Sequence, residues 1–111
     1  MSQFNSLFAV QAPGVVFSAT TSAPTPLPLT YKGNSVRICN EGSVAVYCAF
    51  GTSASDTGAI ATLPGSGLTT SCYVGPGADV TLSLPGQTVW FASAITRSGT
   101  ATVVFYPGEG V

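Results

Sequence analysis

Apolar residues recur at every second position through most of this chain, the spacing of strands that bury one face. The clearest case is Asp79-Val80-Thr81-Leu82-Ser83-Leu84, which puts Val80, Leu82 and Leu84 on one side and Asp79, Thr81 and Ser83 on the other. From Thr100 to Tyr106 the alternation sets Ala101, Val103 and Phe105 against Thr100, Thr102, Val104 and Tyr106. Val15 to Ala19 reads as a first strand, with Val15 and Phe17 on a common face. Thr88 to Thr96 is apolar on both parities, so it is expected either between two packed layers or half covered by a partner chain. No long helical periodicity interrupts these runs.

The segment from Ser35 to Phe50 reads as a β-hairpin, two runs rich in Val, Ile and Tyr around a turn. With Asn40-Glu41-Gly42 as the loop and Gly42 at positive φ, Ile38 faces Val44 and Val36 faces Val46. That register gathers Val36, Ile38, Val44, Val46, Cys48 and Phe50 on one face, whereas a Glu41-Gly42 loop would pair Arg37 with Val46 and mix the faces. The three-residue loop is therefore expected.

Shorter strands are expected at Leu29 to Tyr31, Ala59 to Leu63 and Leu68 to Val74, with Thr52 to Gly58 as a surface loop. Pro24, Pro26 and Pro28 lack the ladder N–H, so Thr20 to Pro28 is an extended connection or a blunt sheet edge. Gly75-Pro76-Gly77, Leu84-Pro85-Gly86-Gln87 and Arg97-Ser98-Gly99 supply turn chemistry. About eight short strands in one small chain predict an all-β sandwich or barrel over residues 13–106. Residues 1–12 form an N-terminal arm in this reading, and residues 107–111 a tail without packed structure. Phe4, Leu7 and Phe8 are spaced for one helical turn or for an extended arm, laid over the chain's own core or over a neighbouring subunit.

Composition sharpens this picture. The chain has 111 residues, 45% of them hydrophobic but only 6% charged, against about a quarter charged in soluble domains. Surface charge keeps a freely diffusing monomer apart from its neighbours, so its shortage implies surface hidden by other chains. Lys32, Arg37 and Arg97 stand against Glu41, Asp56, Asp79 and Glu109 for a net charge of −1. No basic stripe offers itself to nucleic acid, and no apolar run approaches the ~20 residues of a membrane helix. We expect no nucleic-acid or membrane partner, and synthesis without export. Cys39, Cys48 and Cys72 make an odd count; buried reduced thiols are expected, with a Cys48 to Cys72 bridge as the alternative.

Catalytic chemistry finds little material. There is no histidine, the four carboxylates are scattered, and three cysteines lack a fourth soft ligand. The chain is expected not to be an enzyme, with no catalytic, metal or cofactor residues. An enzyme fragment would need Asp79, Glu41 or Cys72 to converge on a pocket. The candidate interface residues are Phe4, Leu7, Phe8, Arg37, Tyr47, Trp90, Arg97 and Tyr106. Trp90 and Tyr106 are amphipathic aromatics that anchor interfaces, though a place in the core is the stronger reading of Trp90. Arg97 is either a solvated turn residue or a contact to a partner carboxylate, and Arg37 is placed near Tyr47 for a cation–π pair. A carbohydrate- or receptor-binding module, using Trp90, Tyr47 or Tyr106 as sugar platforms, is the rival to a purely structural role.

The run from Val36 to Gly51, with Arg97-Ser98-Gly99-Thr100-Ala101-Thr102-Val103 and the Pro107-Gly108-Glu109-Gly110 ending, resembles the head-decoration or cement proteins of tailed phages. The likeness covers roughly Val36 to Gly110 and is one of pattern and composition. It implies a jelly-roll-like β-sandwich that forms homodimers or homotrimers and braces the major capsid protein. It also implies a place on the outer capsid surface of the virion after synthesis in the host cytoplasm. The arm has no counterpart in this likeness.

Overall fold

The computed structural model describes residues 9–10, 13–29, 34–65, 71–84 and 89–109. The protein is all-β. Its strands are β1 (Ala9–Val10), β2 (Val15–Ala19), β3 (Leu27–Pro28), β4 (Ser35–Asn40), β5 (Val46–Gly51), β6 (Cys72–Val74), β7 (Asp79–Ser83), β8 (Phe91–Thr96) and β9 (Ala101–Glu109). Two antiparallel sheets pack as a sandwich. In the first, β1 and β2 share one edge of β9, followed by β4 and β7; in the second the order is β3-β8-β5-β6.

The pairing is nested. β2 pairs with β9, β3 with β8, β4 with β7 and β5 with β6. The chain is thus an antiparallel ribbon folded from its ends to its middle and wrapped around one core. Among the described strands from β2 onward, only β5 and β6 are consecutive in one sheet, and every other successive pair lies in opposite layers.

The expected hairpin is therefore corrected. β4 and β5 lie in opposite sheets, so Val36, Ile38, Val46 and Cys48 meet across the core instead of along a ladder. Alternation reads which side chains point inward, and those four are fully buried as expected. It is blind to whether the next strand lies beside or opposite. Gly42 also has a different role: a Cβ there would stand 2.5 Å from the Ala101 Cβ, so the residue permits close approach to β9. Positive φ is instead found at Gly77 and Gly99. Gly77 follows Pro76 in a turn closed by the Ala78 N–H on the Gly75 carbonyl, the type II arrangement that needs glycine at its third position.

Phe105 of β9 is fully buried and meets Phe17 of β2 and Phe50 of β5 edge to face, with centroids 6.3 and 5.7 Å away. The three rings join both sheets, and full burial of a ring such as Phe105 stabilises the fold by roughly 1.5 to 3 kcal/mol, the partly buried Phe50 contributing less. The last strand extends to Glu109, past the expected end at Tyr106, with Pro107 buried opposite Val36 and Gly108 opposite Ser35. Among the described residues, the pairing of β1 and β2 with β9 passes over Tyr106 and Pro107, and the proline falls at that step.

β8 is apolar on both sides because the same chain covers it. Ala92 and Ala94 join the main core, while Ile95 packs with Ala49 and Ala61 beneath the β5–β6 connection. The Ala61 N–H donates to Ser93 Oγ at 2.8 Å and that hydroxyl donates to the Ala59 carbonyl at 2.5 Å. Ala59 to Leu63 is thus a covering segment, not the expected strand; it follows a 3-10 turn at Thr57–Ala59. Gly51 lets it lie close, since a Cβ there would meet the Ala59 Cβ at 2.7 Å. Of the expected strand Leu29 to Tyr31, residues 30 and 31 lie outside the described residues, and the edge strand sits at Leu27–Pro28.

A candidate binding groove at one end of the sandwich

The connections β4–β5, β6–β7 and β8–β9 gather at one end, and a buried side chain ties two of them. Asn40, 2% exposed, closes β4. Its Nδ2 donates to the carbonyls of Val44, Val74 and Gly75 at 2.9, 3.1 and 3.1 Å, and its Oδ1 accepts from the Gly42 N–H at 2.9 Å. Its backbone joins too: the Asn40 N–H donates to the Ala78 carbonyl and the Gly77 N–H to the Asn40 carbonyl. The third connection is held by Thr96, whose hydroxyl donates to the Gly99 carbonyl at 2.7 Å. Carbonyls that leave the ladders at a corner between layers need donors, and one amide serves three of them.

On this base lies an open groove of about 410 Å³ lined by Ser43, Val44, Ala45, Tyr47, Tyr73, Pro76, Arg97 and Ser98. Tyr47 of β5 and Tyr73 of β6 are direct cross-strand partners, their rings 5.5 Å apart and inclined at 64°. The Arg97 guanidinium lies 5.4 Å from the centre of the Tyr47 ring, a cation–π contact, and its Nη2 donates to the Pro64 carbonyl at 3.3 Å. Tyr73 is 58% exposed.

The candidate interface residues fall into separate places. Tyr47 and Arg97 come together in the groove. Arg37 and Tyr106 are neighbours on the outer face of the first sheet, paired across β4 and β9. The cation on Tyr47 is therefore Arg97, while Arg37 forms an ion pair with Asp79, its Nε 2.9 Å from the carboxylate. That partner raises the Arg37 pKa, chiefly by the hydrogen bond and then by charge. Tyr106 is partly buried, with Gly14 laid against its ring. Trp90 packs against the main core with its indole N–H buried and unpartnered among the described residues. Phe4, Leu7 and Phe8 lie outside the described residues.

The sequence reading missed Tyr73, Asn40 and Val16. Alternation in Cys72-Tyr73-Val74 already isolates the tyrosine from two inward neighbours, but its meeting with Tyr47 depends on register. Asn40 resembles any turn asparagine until the corner closes around it. Among the described residues no group of three His, Cys, Asp or Glu is placed to hold a metal ion. All three cysteines are free; Cys48 and Cys72 are direct cross-strand partners, and burial pushes the Cys48 thiol up to about 12. Comparison with protein-family models, with curated proteins and with solved structures finds no match to this chain.

Proposed function

We propose that this chain is a non-catalytic structural protein that decorates a phage capsid, associating with its own copies and bracing major capsid subunits from outside. The nested pairing supports reading the sandwich as a jelly roll, an architecture used by viral capsid and lectin domains among others. Architecture alone does not assign a role. The observation that carries the proposal is the outer face of the first sheet. Val16 is 63% exposed there, beside exposed Ser18, Thr102, Arg37, Asp79 and Ser83 and the partly buried Tyr106. On this face the two charges, Arg37 and Asp79, pair with each other, and the exposed Val16 beside them suits burial against a neighbour. Repeated on a lattice, weak contacts of this kind gain avidity.

The test is to add the purified chain to shells that lack it and image the product by electron microscopy. Regular density on the outer surface is expected, with attachment lost for Val16→Glu, a change at an exposed position. A stable monomer that never binds shells would remove the proposal.

A second reading, a saccharide-binding module, is favoured by the groove of Tyr47, Tyr73 and Arg97. Binding on a glycan array, lost with Tyr73→Ala, would support it.

A further inference from the structure

The geometry points to an acidic saccharide, one carrying a uronate-type carboxylate, as the ligand of the groove at Tyr47, Tyr73 and Arg97. This inference rests on the saccharide reading and names the class of sugar. Of the two arginines, Arg37 is engaged with Asp79, and Arg97 has no carboxylate partner among the described residues. Its guanidinium is oriented by the Tyr47 ring at 5.4 Å and by the Pro64 carbonyl at 3.3 Å. Further N–H donors of the fork remain for a ligand, and a carboxylate is the group that fits them best.

The remaining walls match a sugar ring. Tyr73, exposed on the groove, offers an aromatic ring to which the C–H side of a pyranose can stack, and Ser43 and Ser98 are among the lining residues whose hydroxyls suit its polar edge. The volume of about 410 Å³ falls in the range of small-molecule sites. A peptide is the poorer fit: the groove is open and offers no enclosed apolar pocket for an anchoring side chain. Because the Asn40 amide and the Thr96 hydroxyl already hold the three connections, little ordering opposes binding.

The full chain is titrated, with NMR and calorimetry as readouts, with a glucuronate-terminated disaccharide, with its neutral glucose counterpart and with an N-acetylated tripeptide bearing a free carboxylate. The acidic disaccharide is expected to bind about tenfold tighter than the neutral one, to shift signals of Tyr47, Tyr73 and Arg97, and to weaken with salt. Tyr73→Ala and Arg97→Gln should each lose about tenfold, with Arg97→Lys losing less. Should Arg97→Gln perturb the fold, the salt dependence and the acidic-to-neutral ratio of the unaltered chain still decide. Equal binding of both disaccharides overturns the acidic preference and leaves the saccharide reading standing. No binding of either sugar removes both, and tighter binding of the tripeptide assigns the groove to a protein carboxylate and overturns the inference.

Discussion

The Asn40 side-chain amide donates to the Val44 carbonyl at 2.9 Å, and this bond stands where the chain leaves one sheet for the other. The same amide reaches Val74 and Gly75, so the corner after β4 and the turn after β6 share one donor. We expect Asn40→Ala to destabilise the fold by about 1 to 3 kcal/mol, since it takes this donor from the buried Val74 bond and the part-buried Val44 bond and the acceptor from the Gly42 N–H, while the Gly75 carbonyl keeps the Ala78 N–H. Asn40→Asp, equal in shape, replaces the donor with an acceptor facing carbonyls and should cost at least as much at neutral pH. Urea unfolding of both variants checks this; a loss below about 0.5 kcal/mol would show that water replaces the amide freely.

Burial sets the reactivity of the thiols. Cys48 is fully buried with its pKa pushed up to about 12, chiefly by desolvation and then by Cys72. Cys39 and Cys72 are partly exposed, and their pKa values too are raised, in both cases mainly by burial. In native protein, a thiol reagent at pH 8 should modify Cys39 and Cys72 well before Cys48, and all three together in denaturant.

The same shift makes a prediction for alkaline stability. A thiol whose folded pKa lies above its unfolded value contributes stability that is complete below the ordinary value of 9.0 and is lost as pH rises towards about 12. Cys48→Ala is expected to lower stability at neutral pH through the lost packing while flattening the fall above pH 9. Unfolding curves between pH 8 and 11 measure both.

Asp56 holds the cover of the second sheet. Its carboxylate accepts from the N–H groups of Gly58 at 2.9 Å and Thr52 at 3.1 Å, which keeps its pKa below the ordinary 3.8. That contribution is present above the unfolded value and is lost as pH falls through the lower folded one. Asp56→Ala at neutral pH, or acid with the unaltered chain, should speed amide exchange from Thr52 to Ala61 and leave β4 and β9 protected.

Arg37 and Asp79 are about half exposed, at 47% and 50% of their side-chain surface, so water screens their pairing. Replacing both, as Arg37→Gln with Asp79→Asn, is expected to change stability by less than about 1 kcal/mol. Chemical denaturation checks it, and a larger loss would mean that the outer face of the first sheet depends on this pair for its own order.

Alternation along the chain was enough to place the inward side chains. Val80, Leu82, Val103 and Phe105 follow from a two-residue period, because a pleated strand must send neighbours to opposite faces and water excludes the apolar set. Turn chemistry at Gly77 and Gly99 was legible for the same local reason. Partnership was decided only in three dimensions. Whether β5 lies beside β4 or across from it, whether the outside of β8 meets its own chain or another, and which cation rests on Tyr47 depend on contacts between residues far apart in sequence. A strand's hydrogen-bonding edges carry no label in the residue pattern, whereas the corner at Asn40 supplies donors for one arrangement alone. The alternating residues thus determined that two apolar faces must meet, and the tertiary structure decided which strands bring them together and which loops build the groove.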